Sequence, residues 1–308
     1  MPMPATKLTG LIAGCAITLT WSSWIMATRL GLKTDIGVYD LLALRFMVAC
    51  LVLVPALWYL GTWKGLSVQR YLILAVLGGL PQNILTYEAV ERSPVALVSV
   101  FMYGTTPIVT AVISYFFLRK KITLEQALGS AVIFGGILLM VGDQSATGFD
   151  MVVWSGNVMA VLAIASFAAF IIYAERWQIS MGQSLTACTV LNGAFFLPLW
   201  ILFSDTSLLA EYNISELVFQ GALQGLVPGL FAMLITTYAA RTIGAGAVSL
   251  FYAMIPVCAA TLAVPFLGEG MTQDQMIGVG IATFGIVMAS TDRKRWMKLR
   301  WVKTQGTF

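Results

Sequence analysis

Apolar runs recur along the whole chain, separated by short stretches rich in charged residues, Gly, Pro and Ser. Most are about 20 residues long, enough to cross a hydrocarbon core of about 30 Å as a helix. The pattern predicts ten spans, at 8–30, 38–60, 71–91, 94–118, 125–142, 152–174, 184–204, 216–240, 244–267 and 274–291. The connections between them are short. Only the loop 205–215 and the tail after Thr291 project into water at any length. The first run follows Lys7, is longer than a signal-peptide core and lacks a small-residue exit, so it is expected to stay as the first span.

One stretch is written twice. Shifted forward by 149 positions, 103–143 lands without a gap on 252–292. Tyr103 falls on Tyr252, Pro107 on Pro256, Phe117-Leu118 on Phe266-Leu267 and Thr123 on Thr272. Gln126 meets Gln275, Gly129 meets Gly278, and Gly136-Ile137 meets Gly285-Ile286. Shared hydrophobicity accounts for apolar matching apolar, but not for Tyr, Pro, Thr, Gln and Gly in one register. An internal repeat decides architecture. The expected fold class is an all-α polytopic membrane protein, ten transmembrane helices arranged as two inverted five-helix repeats. The units are 8–142 and 152–291, followed by a basic tail, 292–308. Five spans per half is an odd number, so the second half must thread the membrane in the opposite sense. Inverted repeats are the usual build of secondary transporters, whose substrate site lies near mid-membrane between the halves.

Composition supports the membrane reading. Hydrophobic residues make up 59% of the chain and charged residues 10%, with a mean hydropathy of +0.86. A soluble domain carries about 25% charged residues. The few Lys and Arg are unevenly placed, which sets orientation. With the N-terminus in the cytoplasm, the inner segments hold Lys7, Lys64, Arg70, Arg119, Lys120, Lys121, Arg176, Arg241 and the basic tail. The outer ones hold only Arg29, Lys33 and Arg92, alongside most of the acids, Glu269 among them. The expected location is the cell inner (plasma) membrane, multi-pass, with both termini cytoplasmic. The tail reads as an anchor on anionic headgroups rather than a nucleic-acid patch.

Polar residues inside a bilayer mark pathways and cavities. Span four carries Ser99, Tyr103, Thr106 and Thr110 on one helical face. Span three offers Gln82, Asn83, Thr86 and Tyr87, and span one Trp21, Ser22, Ser23 and Trp24. With Tyr238 and Tyr252 from spans eight and nine, the candidate substrate-binding set is Trp21, Trp24, Gln82, Asn83, Tyr87, Ser99, Tyr103, Thr106, Tyr238 and Tyr252. Helix–helix hydrogen bonding is the competing reading and suits the Ser and Thr members best. Arg45 in span two and Glu88 in span three fall at similar depth. They are expected to form a charge pair, or to couple transport to protons through Glu88. Pro81, Pro107, Pro228 and Pro256 sit well inside their spans and are expected to act as hinges, since each removes an i→i−4 hydrogen bond.

Several functions are excluded. There is no phosphate-binding G-x-x-x-x-G-K-[ST], no H-E-x-x-H and no His at all. An ATP-driven pump, a zinc enzyme and a Ser-His-Asp hydrolase therefore drop out, and no enzyme activity or cofactor is expected. Cys15, Cys50, Cys188 and Cys258 all fall inside spans and read as small packing residues.

Thr106-Pro107, Phe117-Leu118, Thr123, Gly129 and Gly135-Gly136 in the first copy resemble the EamA domain of the drug/metabolite transporter superfamily. Pro256, Phe266-Leu267-Gly268-Glu269, Thr272, Gly278 and Gly285 in the second are closer still. Trp21-Ser22-Ser23 and Leu44-Arg45-Phe46 fit the same pattern. The first copy departs from it at Arg119-Lys120-Lys121, where a Gly-Glu-Arg-like turn is usual. The resemblance implies a central cavity walled by spans one, three, four, six, eight and nine, and alternating access. The aromatic amino-acid exporters are the nearest type. The expected function is a secondary transporter exporting amino acids or similar small metabolites. Its partners are a small-molecule substrate, the lipid bilayer and, for coupling, protons, with no nucleic acid. Multidrug or organic-cation efflux is the alternative within transport; a non-transporting scaffold or receptor is the alternative outside it.

Overall fold

The computed structural model describes residues 7–34, 36–62, 64–119, 121–147, 150–204 and 212–290. The tail 292–308 and most of the loop 205–215 lie outside the described residues. Every element among those described is helical. Among the described residues seven helices are long and apolar enough to cross a membrane: Lys7–Leu32, Val38–Tyr59, Val95–Phe117, Leu124–Gly142, Met151–Arg176, Met181–Phe203 and Ala247–Leu267. The chain is an all-α, multi-pass membrane protein. Its surface is as apolar as a core, with Leu51, Trp58, Tyr59, Leu202, Phe203 and Phe116 all exposed. Its interior holds Ser22, Thr28, Asn157, Asn192, Gln220 and Gln224. A large apolar surface of this kind is tenable only against lipid.

In chain order, α1 (Lys7–Leu32) and α2 (Val38–Tyr59) are continuous. The segment expected at 71–91 is two helices, α3 (Val68–Gly78) and α4 (Leu80–Arg92), which part at Gly79. The segment at 94–118 is α5 (Val95–Ser99), a π-helical turn over Val100–Gly104, and α6 (Thr106–Leu118). Then come α7 (Leu124–Thr147) and α8 (Met151–Arg176). Next are α9 (Met181–Leu185) and α10 (Asn192–Phe203), joined by a π-helical stretch. After them, α11 (Ile214–Leu226) and α12 (Ala232–Ile243) flank a π-helical turn over Val227–Phe231. The chain closes on α13 (Ala245–Ala253), α14 (Ile255–Leu267) and α15 (Gln273–Ser290).

The prolines act differently from simple mid-helix bends. Pro81, Pro107 and Pro256 each sit in the first turn of a new helix, α4, α6 and α14. There the missing N–H costs nothing. The interruptions themselves fall just before, at Gly79, Thr105 and Met254. Pro228 lies within the π-helical turn after α11.

The repeat now has a physical explanation. Thr123 and Gln126 form a reciprocal cap on α7: the Gln126 N–H donates to Thr123 Oγ1 at 3.3 Å and the Thr123 N–H to Gln126 Oε1 at 3.0 Å. Thr272 and Gln275 repeat it on α15, at 3.2 and 3.3 Å. The glycines serve α7 and α15, which pack on each other. A methyl on Gly136 would meet the Gly278 carbonyl oxygen at 2.6 Å, and one on Gly278 the Gly136 oxygen at 2.8 Å. Other contacts also come in related pairs. α1 packs on α12 and α14, while α8 packs on α4 and α6.

Candidate functional site

A cavity of about 580 Å³ lies between α6, α7, α13 and α15, so that spans five and ten join four and nine in its wall in place of the expected one, three, six and eight. Its wall begins at Tyr103 and Tyr252, the pair that the repeat superimposes, and runs past Thr106, Thr110 and Ser114 to Lys121 and Gln126. Ser249 and Ser290 add further hydroxyls. The volume suits a metabolite-sized ligand, and the hydroxyl, amide and phenol groups along the wall offer it hydrogen bonds. Lys121 is the charged side chain among its lining residues. Tyr252 shares a 3.0 Å hydrogen bond with Thr236, and the Thr106 hydroxyl donates to the Met102 carbonyl at 2.8 Å.

Behind Tyr103 a chain of edge-on rings leads into the core. Tyr103 meets Trp21 at 6.5 Å between ring centroids, Trp21 meets Trp24 at 5.7 Å, and Trp24 meets Tyr87 at 6.1 Å. Gln224 of α11 joins the last two. Its Oε1 accepts from Trp24 Nε1 and from the Tyr87 hydroxyl, both at 2.7 Å. Because an indole N–H can only donate, this fixes which way the amide points. Gln224 Nε2 then donates to Thr28 Oγ1 at 3.0 Å and to Gln220 Oε1 at 3.1 Å. Gln220 continues the line to the Ala27 carbonyl and to Glu216. Sequence reading missed Thr28, Gln220 and Gln224. The signal was present, since Glu216, Gln220 and Gln224 recur every four residues and so share one helical face.

The charges are arranged differently from the expected Arg45–Glu88 pair. Glu88 is bound one turn away on its own helix, with Arg92 Nη2 2.7 Å from its Oε2. A neighbour at i+4 is in reach whatever the tertiary fold, which is why Arg92 wins. Arg45 lies near Tyr87 instead, and its Nη1 is buried without a hydrogen-bond partner.

At the far end of α5 and α6 from Lys121, Glu269 ties four segments together. Its Oε1 takes Arg29 Nε at 2.9 Å and Lys33 Nζ at 3.2 Å, and its Oε2 accepts the Val95 N–H at 2.9 Å. Arg29 Nη1 also donates to the carbonyls of Val90 (2.7 Å) and Glu91. Burial pushes the Glu269 carboxyl pKa up, but the Val95 N–H, Arg29 and Lys33 together outweigh it and hold the pKa below its ordinary value. The end of α1, the end of α4, the start of α5 and the α14–α15 turn are thus fastened at one point.

Of the remaining candidates, Gln82 Nε2 donates to Thr86 Oγ1 at 3.0 Å on its own helix. Ser99 turns back to the Ala96 carbonyl. Asn83 Nδ2 donates to the Gly79 carbonyl at 2.8 Å and so stabilises the α3–α4 break. Asn192, also missed in the sequence, bridges that break from α10: its Oδ1 accepts the Leu80 N–H at 2.9 Å and its Nδ2 donates to the Ala75 carbonyl at 3.2 Å. Tyr238 is exposed, bonded to Thr9 at 2.9 Å, and lines no part of the cavity. The structure thus gathers Trp21, Trp24, Tyr87, Tyr103, Thr106 and Tyr252 along one path. It gives Gln82, Asn83 and Ser99 local hydrogen-bonding work.

Comparison with known proteins fits this architecture. The model of the EamA-like transporter family matches residues 8–142 and again 154–291. The uncharacterized transporter YyaM of Bacillus subtilis (strain 168) is 25% identical over 264 residues, covering 80% of this chain and 83% of its own. The uncharacterized transporter YwfM of the same organism is 26% identical over 215 residues, covering 67% and 68%. A crystal structure with 18% sequence identity superposes with a TM-score of 0.63, over 91% of this chain and 96% of the other, which shows a shared fold. With both halves matched by one family model, this membrane transporter belongs to the EamA-like family of the drug/metabolite transporter superfamily.

Proposed function

We propose that the protein exports amino acids or similar small metabolites by alternating access, through a cavity between two inverted five-helix halves of a ten-span fold. Both termini then lie in the cytoplasm, with Lys121 at the inner end and Glu269 at the outer. The observation that carries this reading is an asymmetry. The cavity runs from Tyr103 and Tyr252 to the Lys121 end, while the opposite end is fastened by Glu269 to Arg29, Lys33 and Val95. An inward-open, outward-closed state has this form. The outward-open state requires the Glu269 contacts to part, and interrupted helices at Gly79, Thr105 and Met254 supply places for the halves to move. The repeat, the paired helix contacts and the twofold family match support two related halves.

Organic-cation efflux fits less well. It needs an acid facing the substrate, whereas Glu88 is occupied by Arg92 and Lys121 is the charge on the cavity wall. The test is counterflow in proteoliposomes. Vesicles preloaded with an unlabelled amino-acid mixture should transiently accumulate a labelled amino acid and should ignore a labelled quaternary amine. Accumulation of the amine alone would assign the protein to cation efflux, and absence of any counterflow would remove the transport mechanism.

A further inference from the structure

Arg45 lies inside the apolar helix α2 and is half-buried. A cation within a membrane-spanning helix requires a partner or a purpose. Among the described residues no acid forms a salt bridge with it. Glu88 is bound to Arg92, and Asp40, on the same helix, is engaged by Trp200 Nε1 at 2.9 Å and the Tyr212 hydroxyl at 3.5 Å. The nearby Tyr87 hydroxyl already gives its proton to Gln224. Arg45 Nη1 remains buried and unbonded.

A second buried donor in the same aromatic core, Trp21 Nε1, is also unbonded. Neither group can accept a hydrogen bond. The unfilled capacity here is therefore donor-only and carries one positive charge. Three ring contacts, Tyr103–Trp21, Trp21–Trp24 and Trp24–Tyr87, run from the cavity wall to Tyr87, the residue beside Arg45.

We propose that Arg45 is the anion-binding residue of the translocation path, and that its ligand is a small carboxylate with an apolar body. The proposal rests on the transport reading above and names its substrate class. A carboxylate matches the planar guanidinium fork, and fills the vacant Nη1 donor while neutralising the charge. The ligand's apolar body then has the ring path from Tyr87 towards Trp21 and Tyr103 to follow, and the Trp21 N–H offers a further donor along it. A doubly charged phosphate would face one guanidinium among aromatic walls and is poorly matched.

The test is equilibrium binding to the detergent-solubilised full chain, followed by tryptophan fluorescence. The probes are 3-phenylpropionate, phenethylamine (the same body with the opposite charge) and inorganic phosphate. Saturable binding of 3-phenylpropionate is expected, with neither of the others competing. Arg45→Gln should weaken it about tenfold or more, and Arg45→Lys, which keeps the charge but loses the fork, should fall between. Phenethylamine or phosphate binding as tightly, no saturable binding of 3-phenylpropionate, or undiminished binding in Arg45→Gln would each overturn it. The ligand comparison on the unaltered chain decides the matter even if Arg45→Gln does not fold. Counterflow separates the two claims. If Arg45-dependent binding persists where counterflow fails, the transport mechanism falls and the site stands. If counterflow is unchanged in Arg45→Gln, the site falls and transport stands.

Discussion

Gly129 and Gly285 face each other so closely that each forbids a side chain on the other. A methyl on Gly285 would lie 2.8 Å from the Gly129 carbonyl oxygen, and one on Gly129 would lie 2.7 Å from that of Gly285. The repeat carries Gly129 onto Gly278 and Gly136 onto Gly285, so the Gly136–Gly278 contact is the equivalent contact under the repeat. Between membrane helices, where lipid is as apolar as Leu, such close approach is a main source of affinity. Gly129→Ala or Gly285→Ala should therefore destabilise the protein by about 1–3 kcal/mol, as overpacking does. Gly135→Ala, where a methyl meets nothing within 4 Å, should be neutral or mildly stabilising. Thermal unfolding of the three variants in one detergent compares them directly.

The break at Gly79 leaves backbone groups that water cannot reach. Asn192 satisfies the Leu80 N–H and the Ala75 carbonyl together. Asn192→Leu, close in size but apolar, should cost about 1–3 kcal/mol by leaving buried polar groups unpaired. Gly79→Ala should be at least as harmful, since its methyl would fall 2.0 Å from Asn192 Nδ2. The midpoint of unfolding reads both.

Glu269 makes a pH prediction. Its carboxyl is held below an ordinary value of 4.5 by the Val95 N–H, Arg29 and Lys33 against the opposing effect of burial. Its contribution to stability is therefore complete above about pH 4.5 and is lost as pH falls through the depressed folded-state pKa. Wild type should show that acid loss, whereas Glu269→Gln should lack it and be weaker at neutral pH by about 1–3 kcal/mol. Unfolding midpoints from pH 7 down to pH 3 would reveal the difference.

Arg119 caps α6 in the left-handed conformation, with φ of 52°. Gly268 does so at the equivalent end of α14, with φ of 66°. A side chain in that conformation costs about 1 kcal/mol that glycine avoids. Arg119→Gly should raise the unfolding midpoint, while Gly268→Arg should lower it.

Much of the architecture was legible because a membrane helix writes itself in long apolar runs, and because Tyr103–Tyr252, Thr123–Thr272 and the glycines kept register across the repeat. Trp24 and Tyr87 stand out in an apolar run because their polar atoms need partners inside a bilayer, and both find Gln224. What failed was pairing. Depth alone pairs Arg45 with Glu88, but depth is one coordinate of three, and Arg92 is one turn away. Gln220, Gln224 and Asn192 were overlooked because amides within an apolar run resemble incidental polarity until the atoms they satisfy are seen. Tyr238 shows the converse error. It has the right residue type and span, but its helix turns it outward to Thr9.

The most direct test of alternating access is thiol labelling from each side of the membrane, in a variant whose four native cysteines are replaced. Ser114→Cys, in the cavity wall near Lys121, should react with an impermeant maleimide from the Lys121 face alone. Ser99→Cys, buried behind the Glu269 contacts, should be protected from the Glu269 face and become reactive there when Glu269→Gln is added. Labelling of Ser114→Cys equally from both faces, or of Ser99→Cys with no dependence on Glu269, would contradict a pathway closed at one end by that residue.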